Sequence, residues 1–247
     1  MEQTLQLSEQ TRARLAGVAT STLANCLLRR GLRNVLMLGV GPVDAAQARM
    51  VGPAYTLRFM PAREDIDTMA NYALDTNLHR RAIEECPAGA VLVMDAHGCL
   101  KASSAGDLMA ARLKARGAVG MVTDGGYRDT PNIRRVGLPA FQRESAPPAT
   151  PIALHPVELN GPMGCAGVAV YPGDIVVGDA EGVVVIPAHL ADEVAAEAED
   201  VDAYELFAEL QITAGRSLFG LFPATDASRQ EYQAWLQAGR PGLKLPT

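Results

Sequence analysis

Two short stretches of the chain hold residue types that suit the chemistry of a small oxo acid. Arg128 and Asp129 stand side by side after an apolar run, and Gly106 and Asp107 stand where an amphipathic segment begins. An arginine is a planar bidentate donor for a carboxylate or enolate oxygen, and an aspartate is a hard oxygen ligand for Mg²⁺ or Mn²⁺. A helix N-terminus favours an anion. Together these types predict a site for a 2-oxo acid.

One strand–helix–strand unit must position both stretches. The apolar run 90–95 predicts a strand, the segment 106–117 predicts a helix that Gly117 ends, and the run 118–123 predicts a second strand. Such a unit places the two strands parallel and adjacent. The loops that carry the charged residues then leave the carboxyl ends of neighbouring strands, where α/β sheets bind ligands.

Each of these features also has a purely structural interpretation. Gly-Gly followed by Arg128 and Asp129 can form a turn with a surface ion pair, and Asp107 can serve only the helix dipole. Ser104 is expected to cap the helix, and His97 is expected to be a solvated loop residue. Lys101 lies in the same polar loop without the apolar surroundings that an imine-forming lysine needs, so metal-dependent chemistry is favoured.

Composition excludes several classes of protein. The 247 residues carry a net charge of −6 with 48% hydrophobic and 20% charged residues, so we expect no nucleic-acid partner. No apolar stretch approaches the roughly 20 residues of a membrane span, and the first residues lack a secretory signal. Four widely spaced cysteines predict reduced thiols, and the expected location is the cytoplasm.

The rest of the chain predicts one α/β domain. Helices are expected at 7–16, 21–31 and 66–85. A strand is expected at 51–60, with an early break at Gly52-Pro53. Short strands are expected at 152–154, 167–170, 175–177 and 183–186, followed by helices at 188–214 and 226–237. No internal repeat or long linker divides the chain.

Three ordered motifs resemble the RraA-like family. The central one is GDLMAARLKARGAVGMVTDGGYRD at 106–129, and VGPAYT at 51–56 and YPGDIVVGDAEGVVVIP at 171–187 flank it. The family includes class II 4-hydroxy-4-methyl-2-oxoglutarate/4-carboxy-4-hydroxy-2-oxoadipate aldolases and regulators of ribonuclease E activity. The chain departs from the family in its early helix, which has Asn25-Cys26-Leu27, and in its longer tail after Gly215.

The resemblance implies a fold and an assembly. The fold is an α-β-β-α sandwich of the swivelling, phosphohistidine-like type, here as a single domain over 1–247 with a helical C-terminal extension at about 188–247. The assembly is a homotrimer or a hexamer with sites between subunits. Neither a nucleic acid nor a membrane is expected as a partner.

The resemblance also implies roles for individual residues. Gly106, Asp107, Leu108 and Met109 would bind substrate, together with Arg128. Asp129 would bind Mg²⁺ or Mn²⁺. A glutamate from the C-terminal helix of a neighbouring subunit would approach the waters of the metal. Glu205 is the best match for it, and Glu209 is the other choice.

The expected activity is a divalent-metal-dependent lyase. It would cleave a pyruvoyl-containing 4-hydroxy-2-oxo acid by retro-aldol reaction, with Arg128 stabilising the pyruvate enolate and Asp107 helping to remove a proton through water. Oxaloacetate decarboxylation is the expected side activity because it forms the same enolate. Two alternatives stay open: a non-catalytic regulator that binds a ribonuclease, and a hydro-lyase or decarboxylase of a sugar-derived 2-oxo acid.

Overall fold

A computed structural model describes residues 7–242 of the chain. Within that range the α-helices are α1 (Glu9–Gly17), α2 (Thr20–Arg29), α3 (Met69–Tyr72), α4 (Leu78–Glu85), α5 (Asp107–Ala115), α6 (Thr130–Val136), α7 (Ala191–Thr213) and α8 (Asp226–Gln237). Short 3₁₀ turns cover Ala45–Gln47, Thr150–Ile152 and Ala188–Leu190. No helix in the described range is both long and apolar enough to cross a bilayer.

The strands form one large mixed sheet and two small ones. They are β1 (Gly41–Pro42), β2 (Met50–Pro61), β3 (Val91–Asp95), β4 (Ser103–Ala105), β5 (Gly120–Thr123), β6 (Gly126–Tyr127), β7 (Ala140–Gln142), β8 (Glu144–Ser145), β9 (Leu154–Leu159), β10 (Met163–Cys165), β11 (Val168–Val170), β12 (Ile175–Asp179) and β13 (Gly182–Ile186). The large sheet has the order β1-β7-β5-β3-β2-β12-β13, and β9 also pairs with β2.

The parallel centre of this sheet is built as the sequence predicts. Strands β2, β3, β5 and β7 are parallel neighbours, and α5 joins β3 to β5. Both strands of the unit are buried throughout, which is typical of parallel strands covered on both faces. The carboxyl ends of β3 and β5 therefore lie at one edge of the sheet.

The large sheet curls until its two edges nearly meet. The segment before β1 pairs with β13, because the Met37 amide donates to the Val183 carbonyl at 2.9 Å and the Val185 amide donates to the Val35 carbonyl at 2.9 Å. The same segment then enters β1 at the other edge. Side chains from both halves of the sheet fill the space between them, among them Val93, Val122, Phe141, Val176 and Val185.

Helices cover the outside of the curled sheet in two groups. Leu113 of α5 and Ile133 of α6 pack with α4 on the face of β3 and β5. Val194 of α7 packs with α1 and α2 on the face of β12 and β13. The prediction of a mixed α/β fold is confirmed, and the swivelling type stays an expectation.

Three local predictions are wrong for identifiable reasons. The segment 66–85 is two helices, because Asn77 accepts the amides of His79 and Arg80 and so starts a new helix. Gly52-Pro53 does not break β2. The strand changes partner there, from β12 to β3. Residues 150–152 form a 3₁₀ turn, and the strand begins only at Leu154.

The C-terminal helices have a small core of their own. Helix α8 begins at a capping box between Thr225 and Ser228, and its aromatic side chains pack on the second half of α7. The shared cluster contains Tyr204, Phe207, Tyr232 and Trp235. The two predicted helices at 188–214 and 226–237 are thus confirmed, with observed bounds of 191–213 and 226–237.

His79 is a buried histidine with no good polar partner. Its ring packs edge-on against Phe59 at 5.3 Å between centroids, and neither ring nitrogen makes a hydrogen bond within the described residues. Burial lowers its pKa to about 4, and the nearby Ser104 backbone opposes this only in part. The folded protein therefore takes up the His79 proton at lower pH than the unfolded chain, whose histidine has its usual pKa of 6.5.

We expect His79 to make the fold acid-sensitive between pH 6.5 and 4. Stability from the neutral ring is complete above pH 6.5 and is lost as pH falls, because the unfolded state binds the proton first. Between pH 7 and 4.5 this amounts to about 2 kcal/mol. His79→Phe should reduce the wild-type loss of unfolding free energy by that amount, measured by urea denaturation at both pH values. The exposed His189→Gln is the control, and equal losses in all three proteins would contradict the prediction.

Candidate functional site

A second, small parallel sheet forms where the three central strands end. The chain continues from β3, β5 and β7 into β4, β6 and β8, and these short strands pair with one another. Strand β4 leads directly into α5, and β6 leads directly into Arg128, whose amide donates to the Ala105 carbonyl at 3.1 Å. The small sheet thus sets the distance between the two stretches that the sequence singled out.

The sequence did not reveal this small sheet. The polar loop expected around His97 and Lys101 ends in three buried residues, Ser103, Ser104 and Ala105. Ser104 was predicted to cap α5, and this is wrong: its hydroxyl donates to the Gly126 carbonyl at 3.1 Å. The N-cap is Gly106, which makes no side-chain capping bond. Short strands of small and polar residues carry no alternation by which to recognise them.

Glycine allows the small sheet to pack closely. A Cβ atom at Gly126 would lie 2.4 Å from the Glu144 carbonyl oxygen, so only glycine fits between β4 and β8. At Gly106 a Cβ atom would lie 3.1 Å from Arg128 Cγ and 3.3 Å from Asp129 Oδ2. The start of α5 is therefore in direct contact with the arginine–aspartate pair, as the sequence predicted.

Arg128 and Asp129 form an accessible ion pair. Arg128 Nε donates to Asp129 Oδ2 at 2.9 Å, and the two side chains are 46% and 38% exposed. Asp129 has a left-handed backbone with φ of 56°, which is uncommon outside glycine, and its carbonyl accepts the amides of Asn132 and Ile133 at the start of α6. The turn therefore directs both side chains towards the start of α5.

Asp107 has both carboxylate oxygens held in place. Oδ1 accepts the Leu108 amide at 2.8 Å, and Oδ2 accepts the side-chain amide of Asn132 on α6 at 2.9 Å. The Asp107 carboxylate thus already accepts one of the free amides at the N-terminus of α5. Leu108 is 81% exposed, whereas Met109 packs partly against the core.

Two positioning residues were missed by sequence reasoning. Asn132 ties Asp107 to the helix that follows Asp129, as described above. Gln142, at the end of β7, accepts the buried Tyr127 amide at 2.7 Å through Oε1, directly before Arg128. Both residues follow the central motif at 106–129 in the sequence. A single side-chain amide forms no pattern with its neighbours by which its role could be predicted.

The other predicted site residues make no contact with Arg128 or Asp129 within the described residues. His97 lies in the loop after β3 with its side chain 52% exposed, as expected for a solvated loop residue. Its Nε2 also bonds the Phe59 carbonyl at 2.5 Å, and its Nδ1 lies 3.4 Å from Asp95. Lys101 is exposed. Glu205 is an exposed residue of α7, which packs on α1 and α2 over the other face of the sheet. Its approach from a neighbouring subunit stays a prediction.

Buried carboxylates stabilise the loops behind the site. Asp124 accepts the Ala96 amide at 2.7 Å and so joins the end of β5 to the end of β3. Burial raises the pKa of the Asp95 carboxyl, the negative charge of Asp124 raises it further, and His97 opposes the rise through its amide and its ring. Asp95 and Asp124 thus hold the loops that follow β3 and β5.

Two cavities lie near α4, and the first of them borders the site. One, of about 410 Å³, is a groove between α4 and α5 that reaches Leu108 and Met109. The other, of about 240 Å³, lies between α3, the turn at 150–152 and β9. Tyr72 lines the second cavity. Burial raises its pKa, while the nearby Thr150 hydroxyl and the positive charges of Arg128 and Arg80 oppose the rise.

The fold and the site together define an α/β protein with an accessible arginine–aspartate pair at the carboxyl edge of its sheet. A family model described as RraA-like, Aldolase/RraA, matches residues 20–185. The chain therefore belongs to the Aldolase/RraA family, which confirms the resemblance in its motifs.

Two relatives in the family are named as aldolases. The chain is 33% identical over 115 residues to a 4-hydroxy-4-methyl-2-oxoglutarate aldolase of Thermus thermophilus, across 46% of this chain and 68% of that protein. It is 38% identical over 111 residues to a protein of Halalkalibacterium halodurans provisionally named as the same aldolase, across 43% and 50%. The chain spans about half the length of that relative and 32% of Protein DlpA of Legionella pneumophila.

A solved structure supports the fold more widely. Streptomyces coelicolor RraAS2, described as an unusual member of the RNase ES inhibitor RraA protein family, is 32% identical. The similarity has a TM-score of 0.73 and covers 82% of this chain and 97% of that one. The nearly closed sheet with its outer helices is therefore the fold of this family.

We expect Gln142 to stabilise the strand that carries Arg128. Gln142→Met keeps the volume of the side chain but leaves the buried Tyr127 amide without an acceptor, which should lower the free energy of unfolding by about 1–3 kcal/mol. Urea denaturation followed by circular dichroism measures this. Gln230→Met, on the exposed side of α8, is the matched control, and an equal effect of the two substitutions would contradict the assignment.

Proposed function

We propose that the protein is a lyase that cleaves a pyruvoyl-containing 4-hydroxy-2-oxo acid by retro-aldol reaction. The observation that carries the proposal is the accessible Arg128–Asp129 pair in contact with the start of α5. An arginine at this place suits the carboxylate and the developing enolate oxygen of a pyruvoyl group. The aldolase names of two relatives support the same class of substrate.

The donor set fits a divalent cation that takes few protein ligands. The described residues contain no group of three or more histidine, cysteine or acidic side chains that could hold a metal ion. Mg²⁺ commonly binds through one or two carboxylates and completes its shell with water and substrate oxygens. Asp129 supplies one such carboxylate, so we propose it as the protein ligand of Mg²⁺ or Mn²⁺. A cation held there would supply positive charge next to the 2-oxo group.

Arg128 is the anchor for the pyruvoyl end. Its Nε already donates to Asp129, and the other guanidinium N–H groups can donate to a carboxylate in the bidentate geometry that arginine prefers. Because Asp107 occupies the Leu108 amide, the substrate carboxylate depends mainly on Arg128 rather than on that part of the helix N-terminus. Gly106, Leu108 and Met109 form the adjoining wall.

Asp107 handles the proton. Each carboxylate oxygen accepts more than one hydrogen bond, so the bonds from Leu108 and Asn132 leave room for a water. That water passes the proton of the 4-hydroxyl on to the Asp107 carboxylate, the C3–C4 bond breaks, C4 becomes a carbonyl, and the electron pair forms the enolate beside Arg128. Protonation at C3 then gives pyruvate. Oxaloacetate would lose CO₂ through the same enolate.

The assembly and the finer fold type belong to the same proposal. We place the chain in the swivelling α-β-β-α type because helices cover both outer faces of a sheet whose halves face each other. A homotrimer or hexamer would allow Glu205 of a neighbouring subunit to approach Asp129, since Glu205 is exposed on the far side of its own chain.

A regulator of a ribonuclease is the second candidate. The similarity to RraAS2, whose description places it in an RNase inhibitor family, favours it. A binding protein of this kind has no need for an arginine–aspartate pair against a helix start. Complex formation with a ribonuclease, without pyruvate release, would replace the lyase by this second candidate.

We expect metal-dependent release of pyruvate. The purified protein should form pyruvate from 4-hydroxy-4-methyl-2-oxoglutarate and from oxaloacetate with Mg²⁺ or Mn²⁺ present. EDTA should abolish this release because it removes the positive charge that the cation would supply next to the 2-oxo group. A coupled lactate dehydrogenase assay measures the rate, and a blank without protein corrects for spontaneous loss of CO₂. Release that EDTA does not change would exclude the proposed metal dependence.

We expect both members of the pair to be essential. Arg128→Ala and Asp129→Ala should each lower kcat/KM at least about 100-fold, the usual cost of one group that stabilises an oxyanion. Arg135→Ala, an exposed arginine on helix α6 directly after the pair, is the matched control and should retain the wild-type rate. Wild-type rates in folded Arg128 and Asp129 variants would refute the proposed mechanism.

A further inference from the structure

Asn132, in the first turn of α6, contacts both halves of the candidate site. Its backbone amide donates to the Asp129 carbonyl at 2.9 Å, and its side-chain amide donates to Asp107 Oδ2 at 2.9 Å. Asp129 lies next to the start of α5, since a Cβ atom at Gly106 would be 3.3 Å from Asp129 Oδ2. One residue therefore connects the turn that carries the arginine–aspartate pair to the carboxylate on α5.

The bond from Asn132 fixes the Asp107 carboxylate relative to that pair. An ionised carboxylate only accepts hydrogen bonds, so the Asn132 side chain must present its NH₂ group to it. The other oxygen, Oδ1, accepts the Leu108 amide at 2.8 Å. The Leu108 amide belongs to the same helix turn as Asp107 itself. Only the Asn132 bond therefore holds the carboxylate against a second helix.

The donor to Asp107 is neutral. Within the described residues no lysine, arginine or histidine forms an ion pair with Asp107, whereas Asp129 is paired with Arg128 at 2.9 Å. A cation in place of Asn132 would lower the proton affinity of the carboxylate more than an uncharged amide does. Asn132 and Asp107 are both half-buried, so water can reach the remaining lone pairs of the carboxylate. An amide at this place thus orients a proton acceptor without neutralising it.

Only one of the two expected reactions removes a proton from the substrate. Retro-aldol cleavage transfers the proton of the 4-hydroxyl through water to Asp107, and the electron pair of the C3–C4 bond becomes the enolate. Oxaloacetate has no hydroxyl at C4. Its C4 carboxylate leaves as CO₂, and the electron pair of the same bond becomes the same enolate. A residue that acts through Asp107 therefore matters more for the first reaction than for the second.

We propose that Asn132 is a positioning residue that orients the Asp107 carboxylate towards the 4-hydroxyl end of the substrate, and that it serves retro-aldol cleavage rather than decarboxylation. The inference rests on the proposed lyase function. It divides the site into the Arg128–Asp129 pair, which both reactions use, and the Asp107–Asn132 pair, which only retro-aldol cleavage uses. Without the Asn132 amide, Asp107 keeps only the bond within its own helix and can rotate away.

The test compares two substrates in the same variants. With Mg²⁺ present, pyruvate release is measured from 4-hydroxy-4-methyl-2-oxoglutarate and from oxaloacetate and corrected with a protein-free blank. Asn132→Leu removes the amide, keeps a side chain of similar shape and suits a helix. It should lower kcat for the retro-aldol substrate about 10- to 100-fold more than kcat for oxaloacetate, because a displaced proton acceptor slows the step that needs it. KM for the retro-aldol substrate should stay within about threefold.

Three further variants separate positioning from a folding defect, with circular dichroism as the check on folding. Asn132→Gln still offers a side-chain amide and should recover part of the lost kcat. Asn25→Leu replaces an exposed asparagine on α2, over the other face of the sheet, and should match the wild type on both substrates. In an Asp107→Ala background, Asn132→Leu should cause little further loss, because residues that act as a unit are not additive.

The outcomes separate the role of Asn132 from the lyase function itself. An equal loss on both substrates, an undiminished loss in the Asp107→Ala background, or wild-type rates in folded Asn132→Leu would overturn the positioning role and leave the lyase function in place. Pyruvate from oxaloacetate alone would overturn retro-aldol cleavage, and the role of Asn132 with it. Absence of pyruvate from both substrates in the wild type would overturn the lyase function.

Discussion

The pairing of three short strands beyond the ends of the main sheet is the constraint on which the site depends. Backbone hydrogen bonds between β4, β6 and β8 hold Gly106 next to Arg128. The pairing needs glycine at 126, because any side chain would meet the Glu144 carbonyl. The relative position of the charged groups in the site is thus set by backbone pairing.

Much of this frame could be predicted from the sequence, for physical reasons. Apolar runs that end in a charged residue, with an amphipathic helix between them, leave few choices other than parallel neighbouring strands. Arg128, Asp129 and Gly106 were therefore placed together correctly. The contact of Gly106 with the ion pair follows from the same unit, since both loops leave the same edge.

The remaining features depend on contacts that no local pattern encodes. The strand β4 is buried by its partners and not by its own apolar content, and Ser104 bonds a distant carbonyl instead of its neighbouring helix. Asn132 and Gln142 act through single amides whose partners lie 25 and 15 residues away. The partner exchange in β2 likewise depends on the whole sheet, because Pro53 is tolerated where one partner strand ends and the next begins.

The groups proposed to react with substrate all come from one continuous stretch of about forty residues, from β4 to β8. The walls of the cavity between α3 and β9 come from two other stretches, around residues 66–77 and 150–156. Mutation can therefore alter the walls without touching the reacting groups. Such a division allows a lineage to acquire new ligands by gene divergence while the bond-breaking step is inherited unchanged.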